Sequence, residues 1–146
     1  MKTLLLAFAV CLLTLNPDRT RPDPNKEDVK AIQGTWQARS VEVGGVPVEE
    51  FAKSCQLVWD GEQFQVMVNG QLQDKGVVTR RDAAKNPKEF DFELTEGPSK
   101  GTKFIGIYRL IDNTYTSCFV MAGDERPKEF ASPAGSNVVL NILKRE

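Results

Sequence analysis

The sequence predicts an all-β protein, built as an eight-stranded antiparallel up-and-down β-barrel with a short N-terminal helical turn. From Trp36 onward, apolar and polar residues alternate in short runs, which is the period of a half-buried strand. Hairpin signals such as Asn69-Gly70 join successive runs, with almost no helical pattern between them. Eight such strands can close around side chains or around one small ligand. A two-sheet β-sandwich stays open as the alternative, because strand parity alone does not separate the two folds.

Composition limits the functions that the chain can have. Its 146 residues suffice for one domain with its own core, and a net charge of −1 offers no basic field to nucleic acid. The sequence has no histidine, which removes the commonest general base, the commonest transition-metal ligand and any Ser-His or Cys-His nucleophile pair. We therefore expect no catalytic residue, no metal site and no cofactor, in a protein that is not an enzyme and does not bind nucleic acid.

The first residues have the pattern of a signal peptide. Lys2 precedes an apolar run over residues 4–15, which is too short to span a bilayer comfortably. We predict a signal peptide over residues 1–16 and export to the periplasm, the cell envelope or the medium; a buried N-terminal helix is the alternative. Cys11 lies within the apolar run, and the residues before it fit a lipidation motif poorly, so we interpret it as part of the signal core.

A linker and a short helix are predicted before the barrel. Residues 17–28 are rich in proline and charge, which predicts a disordered linker and a domain over residues 29–146. The helical pattern overlaps the end of that linker, with Asn25 as its cap and Gly34 as its end.

The predicted strands follow one another with a single helical interruption. A proline followed by apolar residues at helical spacing predicts a short helix over residues 47–54. The eight strands are predicted over residues 34–43, 55–60, 63–68, 71–80, 88–95, 102–111, 114–121 and 137–145.

A Gly-x-Trp motif opens the first strand. Gly34-Thr35-Trp36 follows the helical turn, and Arg145 lies near the end of the last strand. This constellation resembles that of the lipocalin-like barrels, in which the indole closes the narrow end and the arginine lies across it. The resemblance implies a structural role for Gly34, Trp36 and Arg145. The T-D-Y signature of lipocalins is only hinted at by Asp112 and Tyr115, which implies a more distant, calycin-like relative.

A second resemblance rests on the order of six short motifs. The segments "QGTW", "GxPV", "GPSKG", "GIY", "ERPKEF" and "LKRE" occur in that order over about residues 29–146. In this the chain resembles a family of uncharacterised lipocalin-like domains typical of planctomycete bacteria, often exported. The resemblance implies the barrel and carries no activity with it.

Hairpin connectivity predicts where a ligand would bind. If Trp36 lies at the closed end, three long loops crowd the opposite mouth, and scaffolds carry variable binding elements on such loops. Cations there suit an anionic head group; in the alternative, Arg126 pairs with Asp124 or Glu129 and Phe130 plugs the barrel. The predicted rim consists of Phe51, Lys100, Arg126, Lys128 and Phe130.

Four further side chains have two interpretations each. Cys55 and Cys118 lie on different predicted strands and are interpreted as free thiols, with a disulfide as the alternative in an exported protein. Asp91 and Glu93 alternate with phenylalanines, which is typical of a solvated strand face and not of a pair of catalytic carboxylates.

Two functions follow as hypotheses for this exported, monomeric domain. The first is binding of a small apolar or amphiphilic ligand in the barrel mouth. The second is an extracytoplasmic protein–protein interaction or inhibitor domain with a filled barrel. The free volume of the lumen distinguishes the two hypotheses, because a small molecule needs room between the inward-facing aromatic side chains. Those side chains are predicted to be Phe64, Phe90, Phe92, Phe104 and Phe119.

Overall fold

The structure is a computed structural model that describes residues 21–146. The predicted signal peptide, Cys11 and the first part of the predicted linker lie outside the described residues. Within these residues, two helices and nine strands follow one another. They are α1 (Pro24–Ile32), β1 (Gly34–Val43), β2 (Val46–Pro47), α2 (Glu49–Ser54), β3 (Cys55–Asp60), β4 (Gln63–Val68), β5 (Gln71–Asp82), β6 (Lys88–Glu96), β7 (Lys103–Ile111), β8 (Thr114–Met121) and β9 (Val139–Arg145).

Eight of the strands form a closed antiparallel barrel. Strands β1 and β3 to β9 pair in order, and β9 returns to pair with β1 from Trp36↔Arg145 to Val43↔Val139. The ninth strand, β2, only extends a hairpin at the end of β1. The predicted lipocalin-like, up-and-down barrel is therefore confirmed, and the sandwich alternative is wrong because closure of β1 on β9 leaves one continuous sheet.

Tight turns set the strand register. Asn69 and Gly70 both have positive φ, at +53° and +76°, as a two-residue hairpin of this hand requires. At the opposite end of the barrel, Gly61 with φ +62° and Asp112 with φ +53° begin the turns that join β3 to β4 and β7 to β8. All three turns lie between strands that the sequence analysis predicts to be consecutive.

Helix α1 begins earlier than the sequence analysis predicts. The Asp23 side chain, and not that of Asn25, caps it by accepting a hydrogen bond from the backbone N–H of Asn25 at 2.9 Å. Residues 24–28, predicted as linker, are therefore helical. Asn25 instead ties α1 to the end of β5, where its side chain donates to the carbonyl of Arg81 and accepts from the N–H of Ala83. These contacts place α1 across one end of the barrel.

The barrel has a closed end and an open end. The closed end carries α1 and the short turns that follow β3, β5 and β7; the open end carries α2, the Asn69-Gly70 turn and the turn over residues 97–102. Gln33 joins α1 to the closed-end turn, since its side chain exchanges hydrogen bonds with the backbone of Gly61. Within residues 21–146, no helix lies across the open end in the way that α1 lies across the closed end.

Residues 122–138, here called the outer segment, pack against the outside of the barrel wall. They cover outward-facing side chains of β7 and β8, so that Ile107, Cys118 and Val120 are buried although they point away from the lumen. The Sγ of Cys118 donates to the carbonyl of Ala131. The segment then returns to the open end, where Ser132 accepts from the N–H of Gly45.

Candidate functional site

The closed half of the lumen is a packed plug. Trp36, Tyr108 and Tyr115 are each no more than 1% exposed, and the Tyr115 ring lies tilted against the other two at centroid separations near 6 Å. Ile32 of α1 is buried against the same cluster. Aromatic packing of this density leaves no route for a ligand through the closed end.

Arg145 holds α1 over this plug. Its guanidinium lies 4.3 Å from the centroid of the Trp36 ring and donates to the carbonyls of Gln33, at 2.6 Å, and Ala31 at the C-terminal end of α1. The Trp36 indole N–H donates to the carbonyl of Ile32 at 2.7 Å. A cation suits this end of a helix, where carbonyls lack partners. Trp36 and Arg145 thus lie where the lipocalin resemblance implies, and both close the barrel.

A buried arginine that the sequence analysis missed completes the closed end. The Arg81 side chain is 3% exposed, stacks 4.8 Å over the Tyr108 ring, and forms a two-pronged ion pair with Glu62. Asp28 of α1 accepts from the Tyr108 hydroxyl at 2.7 Å and pairs with Lys88. Burial raises the pKa of the Tyr108 hydroxyl, so the hydroxyl donates throughout the neutral range.

The open half of the lumen is hollow. A cavity of about 380 Å³ lies above the plug and reaches the surface beside Val43, which is 43% exposed. This volume lies in the range of small-molecule sites, which is about 300–1,000 Å³. The side chains that line it are apolar with few exceptions, and they come from all eight barrel strands and from α2.

An aromatic wall forms one side of the cavity. Phe92 is its centre: it stacks on Phe104 at 4.8 Å and on Phe90 at 5.3 Å, and meets Phe119 edge-on at 5.0 Å. Phe64 completes the group at 5.5 Å from Phe92. These are the five phenylalanines that could have filled the lumen. They stack along the wall instead, and the centre of the open half stays free.

Gly76 makes room for this arrangement. A Cβ atom at residue 76 would lie 2.2 Å from the ring of Phe64, so only glycine allows that ring to lie flat against β5. Any side chain at this position would push Phe64 toward the centre of the cavity.

Polar atoms in the cavity are few and short of partners. Ser117 and Asn141 face each other on β8 and β9, and the buried Oδ1 of Asn141 has no hydrogen-bond partner among residues 21–146. Asp74 of β5 is the only charged residue among the described residues that line the cavity. Desolvation raises the pKa of the Asp74 carboxyl and raises that of the inward-facing Cys55 thiol to about 11. An apolar cavity with isolated acceptors can hold the apolar part of a ligand and accept a hydrogen bond from a donor group on that ligand.

The structure divides the predicted rim. Phe51 of α2 lines the cavity, and Lys100 lies in the exposed turn at the open end without lining it. Arg126, Lys128 and Phe130 belong to the outer segment and do not lie at the mouth.

The position of Arg126 follows from the charges on the outer wall. It donates to the carbonyls of Phe90 and Gly106, at 3.2 and 2.8 Å, and pairs with the outward-facing Asp91 at 2.7 Å. Lys128 is exposed and pairs with Glu125 of the same segment. Phe130 stacks 4.5 Å from the guanidinium of Arg109, and does not plug the lumen. The predicted rim is therefore wrong for Arg126, Lys128 and Phe130, and so is the alternative pairing of Arg126 with Asp124 or Glu129.

The two described cysteines are free thiols, as predicted. Cys55 points into the cavity and Cys118 points outward beneath the outer segment, so the barrel wall separates their sulfur atoms. Asp91 likewise has the outward orientation that alternation predicts, and its partners are Arg126 and, at 4.0 Å, Arg80.

No protein-family model and no curated protein matches the sequence. Within residues 21–146, no helix has both the length and the apolar character that crossing a membrane requires. Over the same residues, no group of three or more cysteine, aspartate and glutamate side chains is arranged to hold a metal ion.

Proposed function

We propose that this protein binds a small apolar or amphiphilic molecule in the open half of its barrel. The observation that carries the proposal is the cavity of about 380 Å³, which persists although five phenylalanines face the lumen. Water in such an enclosure makes few hydrogen bonds with the wall, so its release by an apolar ligand is favourable. The binding free energy comes from burial of the ligand against the aromatic wall around Phe92.

The entrance lies at the open end, because the plug around Trp36 fills the other. Apolar side chains surround this entrance: Val46 is 64% exposed and Met121 is 55% exposed. A ligand that passes from solvent into the cavity therefore meets an apolar rim and then apolar walls. The expected export of the chain, and its resemblance to planctomycete-type lipocalin-like domains, are compatible with a carrier that meets its ligand outside the cytoplasm.

The experiment is a titration of the full chain with 1-decanol, a neutral amphiphile, followed by calorimetry and by tryptophan fluorescence. Trp59 lines the cavity whereas Trp36 lies in the plug, so occupancy should change the emission of one of the two tryptophans. We expect saturable binding at micromolar concentrations. Absence of heat and of any fluorescence change at high micromolar decanol would contradict the proposal.

Two neighbouring residues of β4 supply a matched pair of variants. Val66 faces the cavity and Met67 faces outward on the same strand. Val66→Phe should reduce decanol affinity at least tenfold by occupying the cavity, while Met67→Phe should leave it within twofold. Equal effects of the two variants would place binding outside the lumen.

A second candidate function is docking of a partner protein on the open end. The exposed apolar residues Val46 and Met121 favour it, since scattered apolar side chains around one opening can serve as a contact surface. This function predicts that Val46→Asp and Met121→Asp abolish complex formation in extracts while Val66→Phe does not. The small-ligand proposal predicts the reverse sensitivity.

A further inference from the structure

The single charge in the cavity indicates which class of amphiphile the barrel selects. Among the described residues that line the cavity, twenty-one in all, Asp74 alone carries a formal charge. Its position depends on a bulge: β4 and β5 pair Met67 with Leu72 and Val66 with Asp74, so Gln73 is an extra residue. The bulge turns Asp74 to the inner face, the face that Gly76 and Val78 continue.

Glycine in the neighbouring turn accommodates the carboxylate. Gly97 has φ of +110°, and a Cβ atom there would lie 2.1 Å from the Oδ1 of Asp74. The carboxylate thus rests against bare backbone at the open end of the cavity, where Leu94 and Phe104 continue the apolar wall.

No cation within residues 21–146 neutralises this carboxylate. The adjacent Lys75 points to the outer face and pairs with Glu96 at 3.7 Å. Removal from water is the cause of the raised pKa of Asp74, with no charged neighbour contributing. A carboxylate that is partly desolvated and unpaired is unfavourable in the empty protein, and a bound cation would remove that penalty.

We propose that the cavity binds cationic amphiphiles, molecules with a protonated amine and an apolar body, and that Asp74 is the counter-ion of the amine. This inference rests on the proposed function and specifies its ligand class. The ammonium group lies at the mouth, where it keeps part of its hydration, and the apolar body lies below it against the phenylalanines. The electron-rich faces of those rings also favour a nearby cation.

The same charge disfavours fatty acids, the class that a cationic rim would have selected. A ligand carboxylate at the mouth would face Asp74 at short range, with no arginine or lysine among the described residues that line the cavity to compensate. Its binding would require protonation of one of the two acids. Arg126 does not compensate, because it lies on the outer wall in contact with Asp91.

The test compares decylamine, 1-decanol and decanoic acid by calorimetry at neutral pH. These probes share one chain length and differ in head-group charge. For the unmodified protein we expect decylamine to bind at least tenfold more tightly than decanol, and decanoic acid to bind most weakly. For Asp74→Asn we expect decylamine to lose that advantage and decanoic acid to gain affinity, with decanol unchanged within twofold. Glu93→Gln, which removes an outward-facing carboxylate from β6, should leave all three affinities unchanged.

The outcomes separate the two proposals. If decanol fails to bind the unmodified protein, the proposed function itself is wrong. If decanol binds but decylamine binds no better, or if Asp74→Asn preserves the preference for the amine, the ligand class is wrong and the binding function stands. Should Asp74→Asn fail to fold, Asp74→Ser removes the charge with a smaller side chain, and the order of the three probes on that variant decides the question.

Discussion

The contact between Trp36 and Arg145 allows a quantitative test of how the closed end is held together. Trp36 is 0% exposed, so Trp36→Ala removes a fully buried ring and the hydrogen bond to Ile32. We expect the free energy of unfolding to fall by about 3–5 kcal/mol, the usual range for such a truncation. Arg145→Ala removes the stacked guanidinium and its bonds to the carbonyls of Ala31 and Gln33. Because Arg145 is partly solvated, we expect a smaller loss, of about 2–3 kcal/mol.

The double variant measures the coupling between the two side chains. At 4.3 Å the guanidinium and the indole share one contact, so its loss is counted twice when the single effects are added. We expect the double variant to lose about 0.5–2 kcal/mol less unfolding free energy than the sum of the two single losses. Urea unfolding at equilibrium gives all three values. Arg145→Lys is the control, since it keeps the cation but a single ammonium group cannot reach both carbonyls in the fork geometry of arginine.

Additive single effects, within about 0.3–0.5 kcal/mol, would show that the two residues act independently. The stacked geometry would then contribute nothing, and Arg145 would act only through the end of α1.

Three other perturbations test the cavity and the outer segment. Gly76→Ala should destabilise the protein by about 1–3 kcal/mol and weaken decanol binding, because the new Cβ pushes the Phe64 ring inward. Thermal unfolding measures the first effect and decanol titration the second, and the absence of either effect would contradict this reasoning. Arg126→Ala should speed alkylation of Cys118 by loosening the outer segment, while decanol affinity stays unchanged. A loss of decanol affinity would show that Arg126 contributes to the binding site after all. Cys55, whose pKa is raised from 9.0 to about 11, should stay protonated in the folded protein up to about pH 9. Since its folded pKa exceeds the unfolded one, its contribution to stability is present below pH 9 and is lost as the pH rises toward 11; an increase in stability over that interval would contradict this.

Strand order and the closed end could be predicted from the sequence because both depend on local patterns. Alternation fixes which residues face inward along β6, and dipeptides such as Asn69-Gly70 fix the turns. The motif at Trp36 then sets which end of the barrel is closed. Each of these signals lies within a few residues of the feature that it determines, so tertiary context had little opportunity to override it.

The course of the outer segment could not be read in the same way. Residues 122–138 have no strand or helix period, and connectivity alone fixes only where such a loop starts and ends. A signal was nevertheless present in β7 and β8, since Ile107, Cys118 and Val120 are apolar on the face that a barrel turns to solvent. Apolar residues on both faces of a strand indicate a cover on the outside. That cover has to come from the longest adjoining loop, which carries Arg126 to the outer wall.

The inward-facing charges escaped prediction because of β-bulges. Strict alternation along β5 fails twice, between Leu72 and Asp74 and between Val78 and Arg80, where the pairing with β4 and β6 shifts register. Strict alternation would place Asp74 and Arg81 on opposite faces of β5, because their numbers differ in parity. Asp74 is in phase with the inward-facing Val78, and the shift after Val78 exchanges the faces, so that Arg81 points inward as well. Neither bulge has a sequence signature as strong as a hairpin dipeptide.

The two inward-facing charged residues of β5 have opposite surroundings. Arg81 at the closed end contributes to stability, whereas Asp74 at the open end contributes to binding. Arg81 lies in the plug with Glu62 and the Tyr108 ring as partners, so its charge is compensated whether or not the open half is occupied. Asp74 lies at the mouth with no compensating cation among the described residues, so its environment improves only when something enters. An unpaired acid in an apolar lining lowers the stability of the empty protein, and Asp74→Asn should therefore stabilise the empty protein while it weakens amine binding. A structural carboxylate would behave in the opposite way, since its neutralisation would destabilise the fold, and thermal unfolding of this single variant without ligand distinguishes the two roles.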